Sequence, residues 1–408
     1  MPDFRNGLKE RPPPPRLMHI CEKFSDHVQI LHLLIWDEDC LKSICQGLTN
    51  CCPNLKQLRI EGEFARSIGV DLFPFGGEGI LARKPNLTVF AFTCMICKPE
   101  IQFLKDLANF IQLVVNASPN LRGVTIPWGF YPDFANSKCL ESLNISLDDV
   151  DPFEIEDVQN VSKLSEMLHQ VDGQLVSLCF GTVQKTDLLG PLEYYHFKNS
   201  SPIGFNLLRR MPKLRKFCNR IVEMFRSADF LQNIEMMPFL ETLVIGRDLK
   251  QLRGVDAILR GICNAKMILP SVRKLELIEL YDPKLLDGVA TAFPNLERLE
   301  MVQRIATGLW GQVDKVEMDI MLEACRDWSG LKHFKVTLWK YPEKMGEFLQ
   351  GLLQGREFFQ RLTTFEIKTR HYQRMKMTRS FTEDEMALFK QLLLVWIRWT
   401  GSRLPGWV

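Results

Sequence analysis

Apolar residues recur along this chain in a short phrase, with three of them at successive spacings of three and two residues. Four copies open with Pro-Asn-Leu, at Pro53, Pro85, Pro119 and Pro294. In the first copy the apolar residues are Leu55, Leu58 and Ile60. Alternation at the end of the phrase predicts a short β-strand with one buried face. Proline before it ends a preceding helix, since it lacks the N–H group that a helix interior requires.

Looser copies of the phrase extend the pattern over most of the chain. Its first apolar residue falls at positions 28, 55, 87, 121, 140, 175, 214, 240, 272, 296, 331 and 362, about 30 residues apart on average. Self-similarity at a period in this range predicts an array of repeats, each of which buries its apolar face against its neighbours.

Helical spacing of apolar residues fills the intervals, most clearly at 40–50, 100–117, 161–170, 255–267, 283–292 and 343–353. Asp282 before Pro283 resembles an N-cap followed by proline at the first helical position. Strand–helix units repeated in one hand give parallel strands that stack into a curved solenoid. We therefore predict an irregular α/β solenoid of about twelve repeats over residues 27–380, with strands on its concave face and helices on its convex face.

The two ends of the array need a different structure, because a terminal repeat has a neighbour on one side only. Residues 1–26 contain the proline run 12–15 and predict an extended tail or N-terminal cap. Residues 381–408 predict a closing helix. Thr382 and Glu385 have the spacing of a capping box at its start.

The Pro-Asn-Leu-x-x-Leu copies resemble the repeats of F-box/leucine-rich-repeat proteins, over roughly residues 28–368. The resemblance implies a ribonuclease-inhibitor-like leucine-rich-repeat solenoid that binds a protein substrate, while a separate F-box binds a cullin-RING ligase adaptor. Residues 1–27 are too short for a typical F-box. We therefore expect either a piece of a longer protein or a repeat-only relative, which would act as a stand-alone scaffold or as an inhibitor by occlusion.

The distribution of charge and the absence of targeting signals bear on the binding partners and on the compartment that we expect. Residues 1–200 hold 18 Lys and Arg against 25 Asp and Glu, whereas residues 201–408 hold 33 against 24, for a net charge of +2. A field strong enough for general nucleic-acid or membrane binding is therefore not expected. The chain starts with no secretory signal and has no apolar run that could span a bilayer, so we expect a cytoplasmic or nuclear protein.

Ligand contacts are expected from strand side chains that point away from the core. The middle repeats carry small or neutral residues there, for example Ser142, Asn144 and Ser177. Later repeats carry charges, which should align in columns with Lys274, Arg298 and His333 in one column and Glu276 and Glu300 in the next. These charges either satisfy one another in solvent or form a protein-binding surface. We call this set the charged strip: Lys216, Arg220, Lys274, Glu276, Arg298, Glu300, His333 and Lys335.

No catalytic, cofactor or metal-binding motif is predicted. Cys94 and Cys97 form a single Cys-x-x-Cys, and tetrahedral zinc needs four ligands. Cys51-Cys52 is more typical of a repeat core. The Gly-rich segment 76–79 lacks a P-loop ending, the acidic run 148–157 lacks EF-hand spacing, and the basic segment 368–379 is expected to be a loop. The sequence thus favours a non-enzymatic protein-recognition solenoid, with a ubiquitin-ligase substrate receptor as its most specific form.

Overall fold

The computed structural model describes residues 19, 21–35, 38–64, 81–96, 101–146, 158–181, 209–221, 227–247, 254–278, 280–303, 318–338, 345–359, 361–369 and 382–400. The chain divides into two compact units. Unit 1 comprises Met1–Ile203 and Leu207–Leu214, and unit 2 comprises Gly204–Asn206 and Arg215–Val408. Several segments singled out in the sequence lie outside the described residues: the proline run 12–15, Gly76–Gly79, Cys97, the acidic run 148–157 and the basic positions 370–379.

Among its described residues, unit 1 contains six strands with three helices between them, and a short helical stretch at 21–23 precedes the first strand. The strands lie side by side in chain order, and every neighbouring pair is parallel. They are β1 (Ile30–Ile35), β2 (Gln57–Phe64), β3 (Val89–Ile96), β4 (Gly123–Pro127), β5 (Ser142–Ser146) and β6 (Ser177–Phe180). The helices are α1 (Glu38–Asn50), α2 (Ile101–Ala117) and α3 (Val158–His169).

Unit 2 repeats this arrangement with six further strands, again parallel and in chain order. The strands are β7 (Lys216–Ile221), β8 (Thr242–Arg247), β9 (Lys274–Ile278), β10 (Arg298–Gln303), β11 (His333–Leu338) and β12 (Thr364–Thr369). The described helices are α4 (Ser227–Glu235), α5 (Gly254–Asn264), α6 (Leu285–Ala292), α7 (Met318–Ala324), α8 (Met345–Gln354), α9 (Arg356–Phe359) and α10 (Glu383–Thr400). The predicted α/β class with parallel strands is confirmed.

The apolar phrase explains where each strand begins and which side it buries. All twelve described strands start two residues after the first apolar position of a copy. That first residue is buried in every copy except the one at Val28, which is half-buried. The inner positions of the strands pack against helices, as Phe92 does with Phe110 of α2 and Phe217 with Phe230 of α4. Each unit therefore has its core between strands and helices.

The asparagine of the Pro-Asn-Leu phrase links successive repeats. Asn54 Nδ2 donates to the backbone carbonyl of Asp26 at 3.0 Å. Asn120 Nδ2 donates to the Pro85 carbonyl at 2.8 Å, and Asn295 Nδ2 donates to the Pro270 carbonyl at 2.8 Å. Asn86 Nδ2 reaches the side-chain oxygen of Asn54 at 3.4 Å. In all four copies the amide thus contacts the repeat before it.

Helix starts agree with the sequence prediction at one place and differ at another. The capping box at α10 is present, because Glu385 N donates to Thr382 Oγ1 at 3.2 Å and Thr382 N donates to Glu385 Oε2 at 3.0 Å. The prediction of Asp282 as an N-cap is wrong. Helix α6 begins at Leu285, and the residue at the N-cap position is Lys284, which makes no side-chain capping hydrogen bond. The Asp282 carboxylate instead pairs with Arg260 at 3.0 Å.

Across the described helices, none combines the length and the apolar character needed to span a membrane.

Candidate functional site

The strand register of unit 2 brings the charged strip together in columns, as the sequence predicted. Lys274 aligns with Arg298, and Arg298 aligns with His333. Lys274 also aligns with Thr242 of β8, which in turn aligns with Lys216. We call this row the first column: Lys216, Thr242, Lys274, Arg298 and His333.

A second column lies two residues further along the same strands. Glu276 aligns with Glu300, and Glu300 aligns with Lys335. Side chains two residues apart in a strand share a face, so the two columns form one surface. Arg220 lies on β7, four residues after Lys216, and completes the predicted set.

Glu300 is the centre of an ionic cluster on this surface. Its Oε1 atom lies 2.7 Å from Lys274 Nζ and 2.7 Å from Arg298 Nε. Its Oε2 atom lies 3.3 Å from Lys335 Nζ. One carboxylate therefore contacts cations from three adjacent strands, β9, β10 and β11.

The cluster holds Glu300 in its charged form. Burial alone would raise the pKa of this carboxyl, but the hydrogen bond and charge of Lys274, followed by the charges of Lys335 and Arg298, lower it below its usual value. Neighbouring positive charge favours a carboxylate in this way. Glu300 is therefore an anion at neutral pH and fixes the three cations around it.

The members of the cluster differ in their exposure to solvent. The Glu300 side chain is 10% exposed, whereas Lys335 is 26%, Lys274 is 32% and Arg298 is 48% exposed. The carboxylate lies beneath, and the cations lie above it. The surface offered to solvent at this point is therefore positively charged.

The residues immediately before the strands form a different kind of row. Their charges alternate in sign from one repeat to the next, and they pair: Arg215 with Glu241 at 3.3 Å, Arg273 with Glu297 at 2.8 Å, and Lys332 with Glu297 at 3.6 Å. We call this set the preceding row. Alternation of this sort satisfies charge locally, since opposite charges on neighbouring strands attract.

The remaining strip residues have individual environments. His333 Nδ1 lies 2.8 Å from Thr364 Oγ1 of the next strand. Lys216 is exposed, and Glu276 and Arg220 are half-buried. Thus seven of the eight predicted strip residues are exposed or half-buried, and Glu300 is the buried exception. Its role as the centre was not predicted, although the register places Lys335 directly beside it on β11 and Lys274 on the other neighbouring strand, β9.

The outer positions of strands β5 and β6 in unit 1 carry no charged side chains. Ser142, Asn144 and Ser177 are half-buried, as is Cys179, and Ser146 is fully buried. Ser142 aligns with Ser177, and Asn144 aligns with Cys179. The prediction of small, neutral outer residues here agrees with these positions.

Cysteines and a buried lysine form a core cluster in unit 1, in agreement with the core interpretation of Cys51-Cys52. Burial raises the pKa of Cys21 to about 12 and raises the pKa of Cys52. Lys84 is buried, and its Nζ donates to the Cys51 carbonyl at 2.6 Å. Protonated thiols are weak nucleophiles and metal ligands. No group of three or more His, Cys, Asp or Glu residues suited to a metal ion occurs among the residues that the structure describes.

No model of a protein family matches this chain, and a search of curated proteins finds no match either.

Proposed function

We propose that this protein is a non-catalytic protein-recognition solenoid of the leucine-rich-repeat type, which binds a protein partner on the outer face of its strands. Parallel strands in chain order with helices between them support this assignment. In such arrays the strand face is an extended binding surface. On this proposal the described outer face would be the concave face of the solenoid.

The charged strip is the binding surface that we assign to this function. The observation that carries the assignment is the cluster around Glu300. In it, a buried carboxylate holds the solvent-accessible side chains of Lys274 and Arg298 in place. Ordered side chains lose less conformational entropy on binding, so a pre-organised surface binds more tightly. Scattered surface charges would not have this property.

The more specific proposal is that the protein is the substrate-binding part of an F-box-type ubiquitin-ligase receptor. Its support is the resemblance of the Pro-Asn-Leu repeats. In that role the strip would hold the substrate, and an F-box elsewhere in the full-length protein would bind a cullin-RING adaptor. A scaffold or inhibitor would use the same surface without ligase subunits.

Affinity capture from an extract of the source organism tests both levels of the proposal. The tagged full chain should retain one or more proteins, and the double variant K274E/R298E should lose them. The control K284E/K390E makes the same change in net charge at two exposed lysines on or beside helices, and it should retain them. Circular dichroism checks that all three proteins fold.

Equal capture by K274E/R298E and the unaltered protein would show that the strip is not the binding surface. Co-purification of a cullin-RING adaptor is the expected result for the ligase receptor. Capture of the partner without ligase subunits would remove the ligase assignment and leave the scaffold or inhibitor function.

A further inference from the structure

The first column and the preceding row are adjacent, yet they handle charge in opposite ways. The preceding row alternates in sign, so its members pair with one another. The first column contains Lys216, Lys274 and Arg298, with Thr242 and His333, and no carboxylate. Like charges on neighbouring strands repel and cost stability. The preceding row is therefore balanced by pairs among its own members. The first column has no anion of its own: Lys274 and Arg298 share the single carboxylate of Glu300 from the second column.

Contacts among the described residues use only part of the hydrogen-bond donors of the first column. A lysine ammonium has three donors and a guanidinium has five. Lys274 contacts Glu300 through Nζ, and Arg298 contacts it through Nε, so that contact leaves the two terminal guanidinium nitrogens unused. These nitrogens form the planar fork that binds a carboxylate in a bidentate manner.

We propose that the first column binds an acidic segment of the protein partner, with Asp or Glu carboxylates placed over Lys216, Lys274 and Arg298. This inference rests on the proposed function and adds the chemistry of the partner. Lys216 contributes an exposed charge two strands from Lys274. Adjacent strands lie about 4.8 Å apart, so an extended acidic segment crossing the strands meets several cations in succession.

Single-stranded nucleic acid is the other polyanion to consider, and the outer positions favour protein over it. Nucleic-acid surfaces of this class combine positive charge with aromatic side chains on which bases stack. The outer positions of β7–β12, within the residues described, hold no Phe, Tyr or Trp. Acidic protein segments need the charge alone.

Fluorescence anisotropy with the full chain tests this inference directly. The probe is a fluorescein-labelled twelve-residue peptide of alternating Glu and Ala, with an alternating Gln and Ala peptide and a twelve-nucleotide oligo-dT as comparison probes. The Glu peptide should bind, and its affinity should fall as NaCl is raised from 50 to 300 mM, because salt screens exposed charges. The Gln peptide should not bind.

Variants then locate the binding on the first column. K274E/R298E should weaken binding of the Glu peptide about tenfold, because two attractive charges become repulsive. Since that variant also removes two partners of Glu300, K216E provides a second test: Lys216 makes no ion pair with a described residue, and its reversal should weaken binding about threefold. The control K284E/K390E should stay within about twofold of the unaltered protein.

Three results would overturn the inference. They are no binding of the Glu peptide, equal weakening by K284E/K390E and K274E/R298E, and tighter binding of oligo-dT than of the Glu peptide. If the captured partner is lost from K274E/R298E while the Glu peptide fails to bind, the proposed function stands and the acidic assignment alone is wrong.

Discussion

Strand β5 of unit 1 and strand β9 of unit 2 use the same inner pattern and differ on their outer face. Leu143 of β5 and Leu275 of β9 are both fully buried at the same position of the apolar phrase. Beside them, Ser142 and Asn144 are neutral, whereas Lys274 and Glu276 are charged. The inner positions therefore form the core of a repeat, and the outer positions set the charge that the repeat presents on its strand face.

The largest effect is expected at the inner positions, where the units should respond alike. Leu143→Ala and Leu275→Ala each remove a fully buried side chain, and each should lower the free energy of unfolding by about 2–5 kcal/mol. Urea denaturation followed by circular dichroism measures this loss. A cost below about 1 kcal/mol for either variant would contradict the equivalence of the two cores.

The two units should respond differently when a glycine on the outer side of a strand is replaced. A Cβ atom on Gly246 of β8 would collide with the backbone carbonyl of Arg220, whereas one on Gly123 of β4 would meet only the Val89 side chain at 3.9 Å. Gly246→Ala should therefore cost about 1–3 kcal/mol. Gly123→Ala should be nearly neutral, and thermal unfolding of both variants compares them. Equal unfolding midpoints for the two variants would show that β7 and β8 can move apart to accept the added Cβ atom without loss of stability.

The ionic cluster of unit 2 should give the protein a pH-dependent stability. Glu300→Gln should lower the free energy of unfolding by about 1–3 kcal/mol at pH 7, because three cations lose their carboxylate. The folded-state pKa of Glu300 lies below its usual 4.5, so its stabilisation is complete above that value and is lost as the pH falls through the folded-state pKa.

Urea denaturation at pH 7, 5 and 3 measures this dependence. The difference between Glu300→Gln and the unaltered protein should shrink at the lowest pH. Glu366→Gln is the control: it removes a carboxylate that is 44% exposed, against 10% for Glu300, and that pairs with Lys368 at 2.9 Å, and it should cost at most about 1 kcal/mol. A pH-independent difference for Glu300→Gln would mean that the cluster does not hold the carboxylate charged.

Periodic features of the fold were predictable from sequence, and solitary ones were not. Strand positions followed from the spacing seen at Leu55, Leu58 and Ile60, because alternation repeats in every copy. The alignment of Lys274 with Arg298 followed from the same register. In contrast, the helix after Asp282 begins only at Leu285, and the Asp282 carboxylate pairs with Arg260, which is distant in sequence. No local pattern indicates a contact of that kind.

The candidate site shows the same division. The sequence placed the charged residues on one face, but it did not distinguish Glu300 from Glu276. Burial of Glu300 depends on contacts from β9 and β11 together. The role of the asparagines was also missed, because the Pro-Asn-Leu phrase shows that the amide recurs without showing which carbonyl it reaches.

The asparagine contacts have a consequence for how this chain can diverge in evolution. Each amide joins the entrances of two successive strands, so the junction is unaffected by how many residues intervene. Insertions and deletions can then accumulate on the helical side while the strand register is preserved. A lineage could thus vary the length of its repeats and keep the alignment of the outer strand positions.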